Sequence, residues 1–268
     1  MPAAATWLYP RESGLYCAPG DFYIDPPVPA DRAVITHGHS DHARAGHGAV
    51  LATPETLAIM RVRLGPEHAG STQPLRYGEA IALGGVQVRL APAGHVLGSA
   101  QVVLEHQGCR IVVSGDYKRT PDPTCAPFEP QRCDLFVSEA TFGLPVFRHG
   151  SPEAEIGRLL GSMRARPERA HLVGVYGLGK CQRMLSLVRR AGYADPIYLH
   201  GALQSITDLY IGLGIKLGEL RPATGETPVP PGALVLCPPS AISDRWSRRF
   251  GDPVRALASG WMRVRARA

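Results

Sequence analysis

The sequence predicts an α/β protein built in two parts, and three observations carry that reading. Short β-branched and apolar runs dominate up to about residue 148, whereas helical and strand patterns alternate from Ser151 onward. Hydrophobic residues make up 44% of the 268 residues and charged ones 19%, enough apolar surface to offset chain entropy and to exclude disorder as the main state. The 30 glycines and 25 prolines imply many turns.

In the first part, strands are expected at Arg32 to Thr36, Val86 to Ala91, Gln101 to His106, Arg110 to Ser114 and Leu135 to Ser138. One helix is expected from Pro54 to Leu64. Thr53 can cap it, Pro54 suits the first helical position, and Leu57, Met60 and Leu64 share a face. In the second part, Ser151 followed by Pro152, Glu153 and Glu155 starts a helix that runs to Arg166 before Pro167. Strand His171 to Tyr176, turn Gly177 to Gly179 and helix Lys180 to Arg190 follow, then strand Pro196 to Leu199 and helix Leu203 to Leu213. Such alternation implies a parallel sheet with crossover helices. Arg221 to Gly232 reads as a surface loop before the strand Ala233 to Cys237.

The net charge of +6, in which Arg supplies all of the 29 basic residues but Lys118, Lys180 and Lys216, favours polyanionic partners without naming one, and a GC-rich coding sequence would explain the Arg excess as well. No apolar run approaches the 20 or so residues of a membrane helix, and Met1 to Arg11 lacks a signal core, so the expectation is a cytoplasmic protein without a membrane partner. The six cysteines show no CxxC spacing and are assigned no role.

The most informative stretch is Thr36-His37-Gly38-His39-Ser40-Asp41-His42, directly after a strand, with four ligand-type side chains within six positions. On such a turn His37 and His39 can reach one metal while Asp41 and His42 face a second, since imidazole and carboxylate suit borderline divalent ions. Gly94-His95-Val96-Leu97-Gly98-Ser99 adds a third imidazole and Ser114-Gly115-Asp116-Tyr117 a carboxylate able to bridge.

These three pieces resemble motifs two, three and four of the metallo-β-lactamase superfamily, and Asp25 after Phe22-Tyr23-Ile24 resembles its first motif, whose Asp orients the metal loop; a turn cap before Pro26 is the alternative for Asp25. Ser138-Glu139-Ala140-Thr141-Phe142-Gly143 is similar to the acidic motif of the β-CASP nucleases. Gly14-Leu15-Tyr16-Cys17, the segment Pro121 to Pro130 and Ser259-Gly260-Trp261-Met262 look closest to the bacterial ligase-associated DNA exonucleases.

The resemblance implies an αββα metallo-β-lactamase sandwich over residues 1–148, an inserted α/β β-CASP-like domain over 149–256 and a return to the first domain over 257–268. It implies that His37, His39 and His95 hold one divalent metal, Asp41 and His42 the other, with Asp116 bridging; zinc is expected first and manganese second. Asp41, Asp116 and Glu139 are the expected catalytic residues. Gly179, Lys180, Gln182 and Arg183, between a strand and a helix, are expected at a substrate phosphate, with His200 either substrate-facing or a turn residue. The implied activity is metal-dependent phosphodiester hydrolysis as a DNA exonuclease in repair, with DNA and an ATP-dependent DNA ligase as partners. In that family a Ser-Asp-His motif and a His-Gly turn follow the Ser-Gly-Trp strand, whereas here the last His is His200. The expectation is therefore a sandwich incomplete at its C-terminal end, with Glu139 lacking a histidine partner. An RNA-processing nuclease of the same fold and an inactive nucleic-acid-binding protein remain as alternatives.

Overall fold

A computed structural model of the chain describes residues 6–224 and 228–262. It divides into two compact units, one up to Glu139 and one from Ala140 onward. None of the described helices is long and apolar enough to cross a membrane.

The first unit contains two sheets. Strands β1 (Leu8–Arg11), β2 (Gly14–Cys17), β3 (Phe22–Ile24), β4 (Arg32–Val34), β5 (His47–Ala52) and β6 (Ala69–Pro74) lie in that order, antiparallel as far as β3 and parallel from there. Strands β7 (Ala80–Leu83), β8 (Val86–Pro92), β9 (Ala100–His106), β10 (Cys109–Val113) and β11 (Leu135–Val137) make the second sheet, in which only the β10–β11 pair is parallel. Because side chains alternate across a strand, each sheet offers one face to a shared core. Phe22, Val34 and Leu51 of the first sheet pack with Val88, Leu90, Val102, Leu104 and Ile111 of the second.

The other face of the first sheet carries Ala33, Ile35, Val50 and Ala52, against which Met60, Leu57 and Leu64 of helix α1 (Pro54–Leu64) pack. The outer face of the second sheet buries Ala91, Val103 and Val112. There Gln101 Nε2 donates to the carbonyls of Pro92 (2.9 Å) and Glu129 (2.7 Å), and Arg89 donates to Gln131 (2.7 Å). The covering segment is rich in proline (Pro121, Pro123, Pro127, Pro130), which removes helix donors and keeps it extended.

The second unit holds an all-parallel sheet in the order β14 (Leu220–Pro222), β13 (Ile197–Leu199), β15 (Leu234–Cys237), β12 (His171–Gly174), β16 (Val254–Leu257). Helix α2 (Pro152–Ala165) precedes it, α3 (Lys180–Arg190) connects β12 to β13, and α4 (Gln204–Gly212), after a 3-10 turn at Gly201–Leu203, connects β13 to β14. One core cluster places Leu172, Tyr198 and Val235 against Trp246 and Phe250.

The loop expected from Arg221 begins later than its sequence suggests, because Leu220–Pro222 forms β14. Proline is tolerated there because β14 is an edge strand and need not donate outward.

Candidate metal centre

The centre is built where β3, β4 and β10 end and where β8 turns into β9. Asp25, just past β3, adopts φ 45°, a left-handed conformation that Asp tolerates better than most residues. Its carboxylate accepts from Thr36 N (2.7 Å) and Thr36 Oγ1 (2.5 Å), and lies 2.7 Å from His42 Nδ1. One side chain thus ties down both ends of the ligand loop.

The turn carrying His95 is held by Ser99, whose Oγ accepts from the backbone N of His95 (3.0 Å) and Val96 (3.1 Å). Gly98 at φ 77° completes that turn; a Cβ there would stand 2.7 Å from Thr56 N, and its carbonyl accepts from Thr53 Oγ1 (2.7 Å) and Thr56 Oγ1 (3.0 Å). Helix α1 is thereby fastened to the His95 turn. At Gly115, φ 54°, a Cβ would lie 2.6 Å from Thr36, so only glycine lets the Asp116 loop approach the histidine loop this closely.

These supports bring the side chains together. His39 Nδ1 lies 3.0 Å from His37 Nε2 and 3.1 Å from His95 Nε2, and Asp116 Oδ2 lies 3.8 Å from His37 Nε2 and 3.5 Å from His95 Nε2. One ligand atom from each of His37, His39, His95 and Asp116 falls within 4.8 Å of the others. Hydrogen-bond accounting shows which ring atoms are offered inward. Thr36 Oγ1 donates to Asp25, so at 3.1 Å it accepts from His37 Nδ1–H, which leaves the lone pair on His37 Nε2 facing the cluster.

His42 spends Nδ1–H on Asp25 and turns Nε2 toward Asp116 Oδ1 (3.4 Å) and Asp41 Oδ2 (3.8 Å). Burial works against a charge on His42, yet hydrogen bonds with Asp116 and Asp25 outweigh it and push its pKa up to about 10. Burial raises the Asp116 carboxyl, and the hydrogen bond from His42 overcomes this and holds it below its ordinary value. Burial, with the neighbouring rings, holds His37 well below the usual imidazole range and His95 down to about 4. Neutral imidazoles at His37 and His95, the His39 ring beside them and an ionised Asp116 make a donor set that a divalent cation such as zinc takes, and the space between His42 Nε2 and two carboxylates stabilises positive charge. The residues present fit a metal.

Of the other residues singled out in the sequence, Asp41 is three-quarters exposed, lies outside the four-residue cluster and approaches His42 Nε2 at 3.8 Å. Glu139 follows β11 and lies outside the four-residue cluster. In the second unit Gly179 (φ 80°) caps α3, with Lys180 first in the helix. Gln182 is fully buried: its Oε1 accepts from Gly179 N (2.8 Å), and its Nε2 donates to Gly177 O (2.9 Å) and Thr207 Oγ1 (3.0 Å), so its amide braces the turn from inside. His200 Nδ1 accepts from Ala202 N (3.0 Å) and its ring meets Trp246 edge-on at 4.7 Å. Thr36, Ser99 and Arg63, which donates to the Gly38 carbonyl, escape sequence reading as supporting residues, although Thr36 directly precedes the first histidine.

A mixed sandwich carries this His/His/His/Asp centre at its strand ends, and the chain belongs to the metallo-beta-lactamase superfamily, which it matches over residues 25–174. It is 28% identical over 259 residues to a probable DNA ligase of Opitutus terrae, covering 95% of this chain and 25% of that protein. It is also 28% identical over 269 residues to ribonuclease TTHA0252 of Thermus thermophilus, covering 88% of this chain and 62% of that one. Cleavage and polyadenylation specificity factor subunit 3 of Dictyostelium discoideum is 27% identical over 228 residues, 72% of this chain and 29% of its own. The chain thus spans less than two thirds of the length of these relatives. A solved structure of a protein of unknown function from Enterococcus faecalis V583 shares the fold at 13% identity, with a TM-score of 0.50 over 87% of this chain and 59% of its own.

Proposed function

We propose that the protein is a metal-dependent nuclease acting on DNA, with residues 149–256 serving as a β-CASP-like substrate domain. The observation that carries this is the convergence of His37 Nε2, His39 Nδ1, His95 Nε2 and Asp116 within 4.8 Å on a superfamily scaffold. In this reading those three histidines would hold one divalent ion and Asp41 and His42 a second, with Asp116 available to both, zinc being favoured by the nitrogen-rich donor set and manganese the alternative. Such an ion pair supplies Lewis acidity and charge compensation at a phosphodiester.

The chain's own residues do the rest. Asp25 fixes the ligand loop through Thr36 and orients His42 by accepting from its Nδ1–H, which leaves His42 Nε2 turned toward Asp116 Oδ1 and Asp41 Oδ2 as the ligand atom. Glu139 acts as an acidic positioning residue at the strand end after β11. The glycine turn at Gly177 to Gly179, braced by Gln182, sets the side chains of Lys180 and Arg183 at the start of α3 for phosphate contact, with His200 at the end of β13 on the substrate side.

The relative named as a DNA ligase, aligned over nearly the whole chain, favours DNA and a ligase partner in repair. The relatives named as ribonucleases favour RNA as the second reading. Digestion of end-labelled DNA and RNA, each single- and double-stranded, with metal content measured on the same sample, separates the two. Release of nucleotides from DNA that stops on chelation and in a His37→Ala, His39→Ala variant supports the proposal. Equal turnover by that variant rejects it, and cleavage of RNA alone transfers the assignment to the second reading.

A further inference from the structure

Two cysteines meet at the end of the second sheet away from the metal centre, where β10 begins and β11 is about to begin. The pairing of these parallel strands sets Ile111 beside Leu135, Val112 beside Phe136 and Val113 beside Val137. The same register holds one step outward, where Asp134 N donates to Arg110 O (2.8 Å) and Arg110 N donates to Asp134 Oδ2 (2.7 Å). One step further it puts Cys109 next to Cys133. Neighbouring strands run about 4.8 Å apart, inside the Cα separation of about 4.4 to 6.8 Å that a disulfide spans. Cys109, Leu135 and Val137 all pack against the core between the sheets, and alternation along the strand returns position 133 to the face of Leu135. Independently of register, both cysteines line one open cavity of about 530 Å³, with His106, Gly108, Arg110 and Asp134.

Their surroundings suit the two thiols to successive roles. Cys133 is exposed and meets a dissolved oxidant first, whereas Cys109 is half-buried. Desolvation, and after it the Asp134 carboxylate that accepts a hydrogen bond from the thiol, raise Cys109 above the ordinary cysteine value, so it waits as a protonated thiol beside a group that can take its proton. The remaining cysteines are placed otherwise. Cys17, Cys181 and Cys237 are buried, and Cys125 lies by Tyr77, whose hydroxyl donates to Ser99 O (2.9 Å) at the opposite end of the sheet.

We propose that Cys109 and Cys133 are a modification site, a pair that hydrogen peroxide closes to a reversible disulfide tying the edge strand β11 to β10. The Cys133 thiolate attacks peroxide: an S–O bond forms, the O–O bond breaks, and the departing hydroxide takes up a proton and leaves as water. The Cys109 sulfur then attacks the sulfenic sulfur of Cys133, its proton passing by way of Asp134 to the departing hydroxide, which leaves as a second water. Two thiols thus lose two hydrogens and two electrons while one peroxide is reduced to two waters, and a dithiol reverses the bond by exchange. The bridge closes a loop that contains Asp116 and the proline-rich cover of the sheet, and such closure stabilises the fold by restricting the unfolded chain.

The test is brief treatment of the native protein with hydrogen peroxide, blocking of the remaining thiols with N-ethylmaleimide, and tryptic mapping without reductant. Trypsin cuts after Arg110 and Arg132, so the two cysteines fall in separate peptides, Leu90 to Arg110 and Cys133 to Arg148. The expected result is these two peptides joined within one chain, lighter than their sum by two hydrogens and parted by dithiothreitol. The link is expected to vanish in Cys109→Ser and in Cys133→Ser, and peroxide is expected to raise the melting temperature of the wild type but of neither variant. Asp134→Asn is expected to accumulate sulfenic Cys133, trapped with dimedone, before the bond closes; trapping equal to wild type would remove Asp134 from the step. Cys133 carried on to sulfinic or sulfonic acid with Cys109 still alkylated overturns the pair, as does a link between two chains or to Cys125. A lower melting temperature on oxidation overturns the claim that the native strands already hold the thiols in bonding position. The nuclease reading is independent of every one of these outcomes.

Discussion

Asp25 serves three donors with one carboxylate, and the ring orientation of His42 follows from it. Replacing it with Ala leaves Thr36 and His42 free to turn, so Asp25→Ala is expected to lower divalent metal affinity by roughly 10- to 100-fold while the far-ultraviolet circular dichroism stays unchanged; competition with a fluorescent chelator measures it. The cysteines give a second check at this scale. Burial pushes the thiols of Cys17 up to about 11 and of Cys181 and Cys237 up to about 12, so near neutral pH they remain protonated and unreactive, whereas Cys133 is exposed. Thiol labelling of the native protein is expected to modify Cys133 first and the three buried cysteines only on unfolding. The ligand types were legible in the sequence because His37, His39, Asp41 and His42 are neighbours along the chain. Their tautomers were not, since these depend on Thr36 and Asp25, eleven residues apart and joined only across the β3–β4 pair.

Thr53 and Ser151 both cap helices, accepting from Thr56 N and Ala154 N at 3.1 Å each, yet only Thr53 also holds the Gly98 carbonyl. Each Ala variant is expected to lose about 1 kcal/mol of stability in urea unfolding. Thr53→Ala is expected in addition to weaken metal binding, because the His95 turn loses an anchor, while Ser151→Ala binds metal like wild type. Equal metal affinity in the two variants would show that α1 does not support the turn. Helices α1 and α3 were readable because caps and breakers bracket them, and both run between the expected residues, Pro54–Leu64 and Lys180–Arg190. Strand β6 was not: Ala69–Pro74 is polar and almost wholly exposed, and it is a strand because β5 offers it a parallel partner rather than because of any apolar alternation.

At the scale of the molecule, the change from short strands to helix–strand alternation showed in the sequence as a change of architecture, and the structure realises it as two units that part between Glu139 and Ala140. What the sequence concealed was which outer face each unit covers and with what, as in the proline-rich segment hydrogen-bonded across Gln101 and Arg89. If the second unit presents phosphate contacts at the start of α3, Lys180→Ala with Arg183→Ala is expected to lower DNA affinity and reduce the salt slope by about one unit per lost contact. An unchanged slope in a salt titration would leave that turn a structural element.

All of this turns on whether the loop from His37 to His42, with His95 and Asp116, holds divalent metal. Mass-spectrometric metal analysis of protein dialysed against metal-free buffer tests it most directly. At least one zinc or manganese ion per chain is expected in the wild type, with a clear loss in the His37→Ala, His39→Ala variant of matching circular dichroism; the same substoichiometric metal in both would show that these residues hold no metal.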